Sequence, residues 1–207
     1  RPERTPETST TPQAAGIFPA SVWQCASPEE ALALLRGETE GYVYQRDGHP
    51  NADMLAAKLS ELHAADRTMI TSSGMAAMSA VALSQLEARD HIVVSDQLYG
   101  RSLDLLAGQA PRLGVTCSAL DTCDLDAVHA AAQDKTRLIV AETISNPLLR
   151  VADVAALASI AQEKNAKLVI DNTFASPILC RPLQLGADLV VESISKSIHG
   201  HSAVMLR

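Results

Sequence analysis

Lys196 closes Ser193-Ile194-Ser195-Lys196, just past the apolar run Asp188–Val191. A lysine in a loop is ordinarily a solvated cation. At the lip of a pocket, desolvation takes its proton and leaves an amine that attacks carbonyl carbon. Ser195 and Ser193, one and three residues earlier, add hydroxyls able to bind a phosphate. Asp171 ends a second apolar run, Lys167-Leu168-Val169-Ile170, where a carboxylate is costly unless it is paired or caps a helix. Ser72-Ser73-Gly74-Met75-Ala76-Ala77 lies where a strand gives way to a helix, a place where backbone N–H groups attract phosphate. Tyr99-Gly100 follows another apolar run; the tyrosine either packs in the core or stacks on a flat ring.

An amine for an aldehyde, with hydroxyls for a phosphate on the same molecule, describes a site for pyridoxal phosphate (PLP). The carboxylate of Asp171 would then keep the pyridine nitrogen protonated and the ring electron-withdrawing. Lys196 follows Asp171 by about one strand–helix unit, which suits that division of labour.

These residues need a scaffold that brings strand ends to one rim. Short apolar runs occur at Thr68–Ile70, His91–Val94, Val115–Ala119, Leu138–Val140, Lys167–Ile170 and Asp188–Val191. Helical patterns lie between them near Gly74–Leu86, Ser102–Ala110, Leu125–Ala132 and Val151–Lys164, the last with Val151, Val154, Leu157 and Ile160 on one face. Asn165 is placed as a left-handed cap. Upstream, Ser27 caps a helix that Gly37 stops, and Asn51 is expected to cap the next. Apolar runs without alternation, separated by helices, mean a mostly parallel sheet covered on both faces: an α/β fold. Ligands of such sheets bind beyond the carboxyl ends of the strands. There this chain places Thr71–Gly74, Ser95-Asp96, Glu142 through Asn146, Asp171-Asn172-Thr173 and Glu192 through Lys196.

The chain has 207 residues with 17 Lys+Arg against 24 Asp+Glu, a net charge of −7. That balance argues against nucleic acid or an anionic membrane as the main partner. At 47% hydrophobic residues there is material for a core, and with 3% aromatics the core is aliphatic. No apolar stretch is long enough to span a membrane. Cys25, Cys117, Cys123 and Cys180 have no zinc spacing, so no metal is expected and they read as free thiols of a reducing compartment. A nucleotide-binding domain would want a GxGxxG or GxxxxGK[ST] turn, and neither occurs. Residues 1–15 read as a mobile tail rich in Thr, Pro and Glu. Position 1 is Arg, and Ser202–Arg207 reads as a strand broken off, so a fragment is expected, with an exposed sheet edge that favours aggregation.

The sequence resembles the Cys/Met-metabolism (trans-sulfuration) family of PLP enzymes from about Ile17 onward. The resemblance rests on Gly41-Tyr42-Val43-Tyr44-Gln45-Arg46 with Pro50, Ser73 through Ala77, Tyr99-Gly100, and Glu142-Thr143-Ile144-Ser145-Asn146-Pro147. It continues through Asp171-Asn172-Thr173-Phe174-Ala175-Ser176-Pro177, Leu185-Gly186-Ala187-Asp188 and Ser193-Ile194-Ser195-Lys196. It implies a three-layer α/β/α large domain of the aspartate-aminotransferase-like fold (fold type I), here truncated. It implies Lys196 as the residue of the internal aldimine and a proton carrier, and Asp171 as partner of the pyridinium. Gly74, Met75, Ser193 and Ser195 would hold the phosphate, Tyr99 would stack on the ring and act catalytically by assisting departure of the leaving group, and Asn146 would lie near the ring's phenolic oxygen. Tyr44 and Arg46 would reach the phosphate of a neighbouring subunit, in a homotetramer built of dimers that share active sites. Residues 16–50 would form that contacting arm and 51–207 the incomplete PLP-binding domain. The activity implied is elimination or replacement at the β or γ carbon of sulfur amino acids or activated homoserine, in the cytoplasm. A truncated, non-catalytic relative kept for subunit contacts is the alternative. Arg101 stands where relatives carry a small residue, which counts against methionine γ-lyase chemistry; Glu192 replaces a common His.

Overall fold

The computed structural model describes residues 13, 14 and 16–200. The tail expected over residues 1–15, apart from Gln13 and Ala14, and the strand expected at 202–207 lie outside the described residues. The chain divides into two compact units, residues 1–57 and 58–207.

In the first unit, helix α1 (Pro28–Leu35) starts where Ser27 Oγ accepts from the Glu30 N–H, and Gly37 follows its end at φ +69°. Trp23 packs between Tyr42 and His49, with ring centroids 5.2 and 5.4 Å apart. Helix α2 (Pro50–His63), whose first eight residues belong to this unit and the rest to the second, begins before Asn51. The expected Asn51 cap is therefore displaced: His49 Nδ1 accepts from the Asn51 N–H, while the Asn51 amide pairs with both the N–H and C=O of Phe18.

The second unit is a parallel sheet of five strands among the described residues: β1 (His91–Ser95), β2 (Thr116–Leu120), β3 (Thr136–Glu142), β4 (Lys167–Asp171) and β5 (Leu189–Val191). Their spatial order is β2-β1-β3-β4-β5. Alternate residues feed two aliphatic clusters on opposite faces. Val93, Ile139, Leu168 and Ile170 pack with Val128, Val154, Leu157 and Ala161 of helices α5 (Leu125–Ala131) and α6 (Val154–Glu163). Ile92, Val94, Leu138, Val140 and Val169 pack with Met78 of helix α3 (Gly74–Gln85) and with Leu106 and Val115. Burial on both faces explains the unbroken apolar runs and gives the three layers. Truncating one such leucine costs about 2–5 kcal/mol.

Three expectations need correction. Thr68–Ile70 forms no strand: no described segment pairs with it, and Met69 is 78% exposed. Val151 is not on the helix face. Asp153 caps α6 by accepting from the Ala156 N–H, which starts the helix later and leaves Val151 bridged to Ile144 instead. The helix expected over Ser102–Ala110 is a single α-turn, α4 (Gly100–Leu103), followed by a wider π turn through Gln109. Asn165 does take the left-handed conformation, at φ +54°.

Candidate functional site

A parallel sheet turns every strand end to one rim, and in-register neighbours share a face. Glu142, Asp171 and Val191 are consecutive register partners across β3, β4 and β5, so two acids stand side by side where the strands stop. Thr173 turns back on Asp171, its N–H donating to Asp171 Oδ1 at 3.0 Å. Thr173 Oγ1 in turn accepts from the Ser193 N–H at 2.9 Å.

Ser193 then meets α3. A β-carbon at Gly74 would lie 3.1 Å from Ser193 Cβ and 3.4 Å from its Oγ, so glycine is what lets the helix start approach this loop. Ser73 caps the helix by accepting from the Ala76 N–H, leaving the N–H groups of Gly74 and Met75 at the open end. Ser102 Oγ donates to Met75 Sδ at 3.7 Å, and the Tyr99 N–H, just ahead of α4, donates to Glu142 Oε1 at 2.6 Å. Contacts thus run in a ring: Tyr99, Glu142, Asp171, Thr173, Ser193, Gly74, Met75 and Ser102.

The electrostatics single out the two acids. Burial pushes the Glu142 carboxyl up to about 7, helped by the Asp171 charge and opposed by the N–H groups of Tyr99 and Asn146. Burial raises Asp171 as well, against the pull of Thr173 and of the Lys196 charge. Lys196 therefore acts on Asp171 through space; its own backbone N–H donates to Ser193 C=O in the turn after β5. A buried acid with a nearby cation and no ring of donors is suited to a cationic partner, such as a protonated ring nitrogen. A glycine-spaced helix start beside serine hydroxyls suits a phosphate. These residues fit PLP on both counts.

Six of the expected residues belong to this ring or act on it: Gly74, Met75, Tyr99, Asp171, Ser193 and Lys196. Ser195 sits, half-buried, in the turn between Ser193 and Lys196. Asn146, exposed, lies in the loop after β3, and its N–H bears on Glu142. Tyr44 and Arg46 are in the first unit, exposed, with the guanidinium 5.1 Å from the Tyr44 ring centroid. Sequence reasoning put Glu142 and Thr173 on the rim but gave them no task. Their signal was position at a strand end; their bonds depend on register, which no sequence window displays.

A second cleft of about 720 Å³ in this unit is lined by Thr68–Thr71, Leu189–Glu192, Ile194, Arg67 and His63. There His63 Nε2 and Glu192 Oε2 pair at 2.5 Å, both side chains buried. Among the described residues no group of three His, Cys, Asp or Glu is placed to hold a metal ion. No described helix is long and apolar enough to cross a membrane.

Comparison with known proteins agrees with this geometry. A family model described as Cys/Met metabolism PLP-dependent enzyme matches residues 1–206. The L-methionine gamma-lyase of Fusobacterium nucleatum subsp. polymorphum is 37% identical over 190 residues, which cover 91% of this chain and 48% of that protein. The cystathionine gamma-synthase of Mycobacterium bovis is 41% identical over 177 residues, covering 86% of this chain and 45% of that one. The chain therefore spans about half the length of the curated relatives it matches. Among solved structures, an O-acetylhomoserine (thiol)-lyase of Campylobacter jejuni superposes with a TM-score of 0.88 at 26% identity, over 93% of this chain and 48% of that one. That structure carries an N'-pyridoxyl-lysine-5'-monophosphate.

Proposed function

The chain belongs to the Cys/Met metabolism family of PLP-dependent enzymes, and on that premise we propose that it is the cofactor-binding part of a trans-sulfuration enzyme. Its reaction is elimination or replacement at the β or γ carbon of a sulfur amino acid or activated homoserine. The observation that carries this reading is Asp171, a half-buried carboxyl at a strand end, raised by desolvation, that feels the Lys196 charge one contact away from the Ser193–Gly74 approach. Bound PLP supplies an aldehyde and a ring that withdraws electrons from the substrate's α-carbon.

The chain's own residues do the rest. Lys196 Nζ would hold the aldehyde and carry a proton at the substrate α-carbon. Asp171 keeps the proton on the ring nitrogen. The Gly74 and Met75 N–H groups, with the hydroxyls of Ser193 and Ser195, hold the phosphate. Tyr99, 53% exposed, offers its ring for stacking, and Asn146 serves the phenolic oxygen. Tyr44 and Arg46 serve the phosphate of a second subunit in an active-site-sharing dimer; the planar fork of arginine suits that post. Free cysteines are consistent with a cytoplasmic location.

Product analysis tests the reading. The purified enzyme, loaded with PLP, is offered cystathionine, methionine and acylated homoserine. The expected result is a new thiol, a keto acid or a thioether from at least one of them. No product from any of the three would overturn it.

A further inference from the structure

Glu142, the last residue of β3, is 7% exposed. Its Oε1 accepts from the Tyr99 N–H at 2.6 Å, while Oε2 is buried with no hydrogen-bond partner among the described residues. The Asn146 N–H also acts on its carboxyl, and across the sheet its register partner is Asp171. Leu98 before Tyr99 and Ser102 after it are buried, so the residue left for Glu142 to fix is Tyr99 itself. The Tyr99 side chain is half exposed, and the helix it precedes is only four residues long, with no side-chain cap. A buried acid is an expensive way to fill a core position. Here the carboxyl's close hydrogen bond is to the backbone of the residue proposed to stack on the cofactor ring.

We propose that Glu142 is a positioning residue: it anchors the Tyr99 backbone, and through it the stacking ring, at a fixed place beside Asp171. The role rests on reach. A carboxyl or an amide at the end of a two-methylene side chain accepts the Tyr99 N–H, whereas one methylene less falls about 1.5 Å short. This inference depends on the PLP reading for its purpose, but the anchoring itself is a property of the protein without cofactor.

The experiment compares Glu142→Gln, which keeps the reach and loses the charge, with Glu142→Asp, which keeps the charge and loses the reach. It uses the purified enzyme and reads three things: hydrogen exchange without cofactor, PLP affinity by absorbance titration, and the visible circular dichroism of the loaded protein. The expected result for Glu142→Asp is exchange faster by about tenfold or more in the peptide spanning Tyr99 but not elsewhere, with a comparable loss of PLP affinity and an altered dichroic band. Glu142→Gln is expected to exchange no faster than the parent protein and to match it in the two cofactor readouts. Aspartate performing as well as glutamine would show that reach does not matter and overturn the proposal. So would faster exchange across all peptides, or a failure of the aspartate variant to fold, since either assigns Glu142 to the core. Should the parent protein bind no PLP, the functional reading falls, and the exchange readout alone still decides whether Glu142 anchors Tyr99.

Discussion

Where the strands begin, His91 is 2% exposed, with one ring nitrogen 2.8 Å from Thr136 Oγ1 and the other 3.0 Å from Ser118 Oγ. Where they finish, Glu142 is buried almost as deeply, yet one oxygen has a single backbone donor and the other has no partner among the described residues. Its neighbour across the sheet is another acid. Both ends bury a titratable group, but only the first satisfies it. An end built for stability closes its hydrogen bonds, whereas an end built for chemistry keeps charge demand open for a ligand to meet. The His63–Glu192 pair at the sheet's β5 edge lies between the two: one imidazole nitrogen meets one carboxylate oxygen, while His63 Nδ1 and Glu192 Oε1 are buried without a partner among the described residues.

The contrast is broken most severely at Lys196. Replacing it by alanine is expected to abolish turnover and covalent cofactor attachment while leaving the melting temperature of the cofactor-free protein unchanged. A variant that still turned over would remove the lysine from the chemistry. Asp171→Ala comes next, with turnover reduced by about 10²–10³-fold. The same variant should unfold no more easily than the parent without cofactor, because it removes an acid that burial already disfavours as the charged form. A large fall in the urea midpoint would instead make Asp171 a structural group.

The two ends should also respond to pH with opposite signs. Glu142, raised from 4.5 to about 7 in the folded protein, keeps its proton where the unfolded chain has lost it. Its contribution to stability is full below pH 4.5 and disappears as pH rises through about 7. Glu142→Gln should therefore gain on the parent across that window, by an amount on the order of 3 kcal/mol at most. His91, lowered by burial, stays neutral in the fold, so its contribution is present above the unfolded value of 6.5 and lost as pH falls below it. Denaturant melts from pH 4 to 8 check both slopes, and a flat Glu142→Gln difference would contradict the first. The smallest effect is expected for His91→Leu at pH 8, about 1–3 kcal/mol from the hydroxyls left unpaired, with no change in PLP affinity. A loss of PLP affinity there would erase the distinction between the two ends.

Much of this was legible in the sequence wherever local chemistry decides the structure. Ser27, Ser73 and the left-handed Asn165 follow from capping rules, and the five paired strands follow from short, mostly apolar runs between helical patterns. Legibility failed where a partner far along the chain decides. Asn51 was read as a cap because nothing nearby competes, but Phe18, 33 residues away, takes its side chain. Val151 fits the helical period, yet Asp153 starts the helix after it. At the rim, Asp171 and Lys196 were found because an acid or an amine after an apolar run is expensive in any fold. Glu142 obeys the same rule, and its task stayed hidden. Only the register that sets it beside Asp171, and the bond to Tyr99 43 residues away, reveal what it holds.

Reduction of the PLP-loaded enzyme with borohydride, followed by peptide mapping, puts the central claim to its most direct test. The account predicts one pyridoxyl group, carried on Lys196. A pyridoxyl group on any other lysine, or none at all, would contradict it.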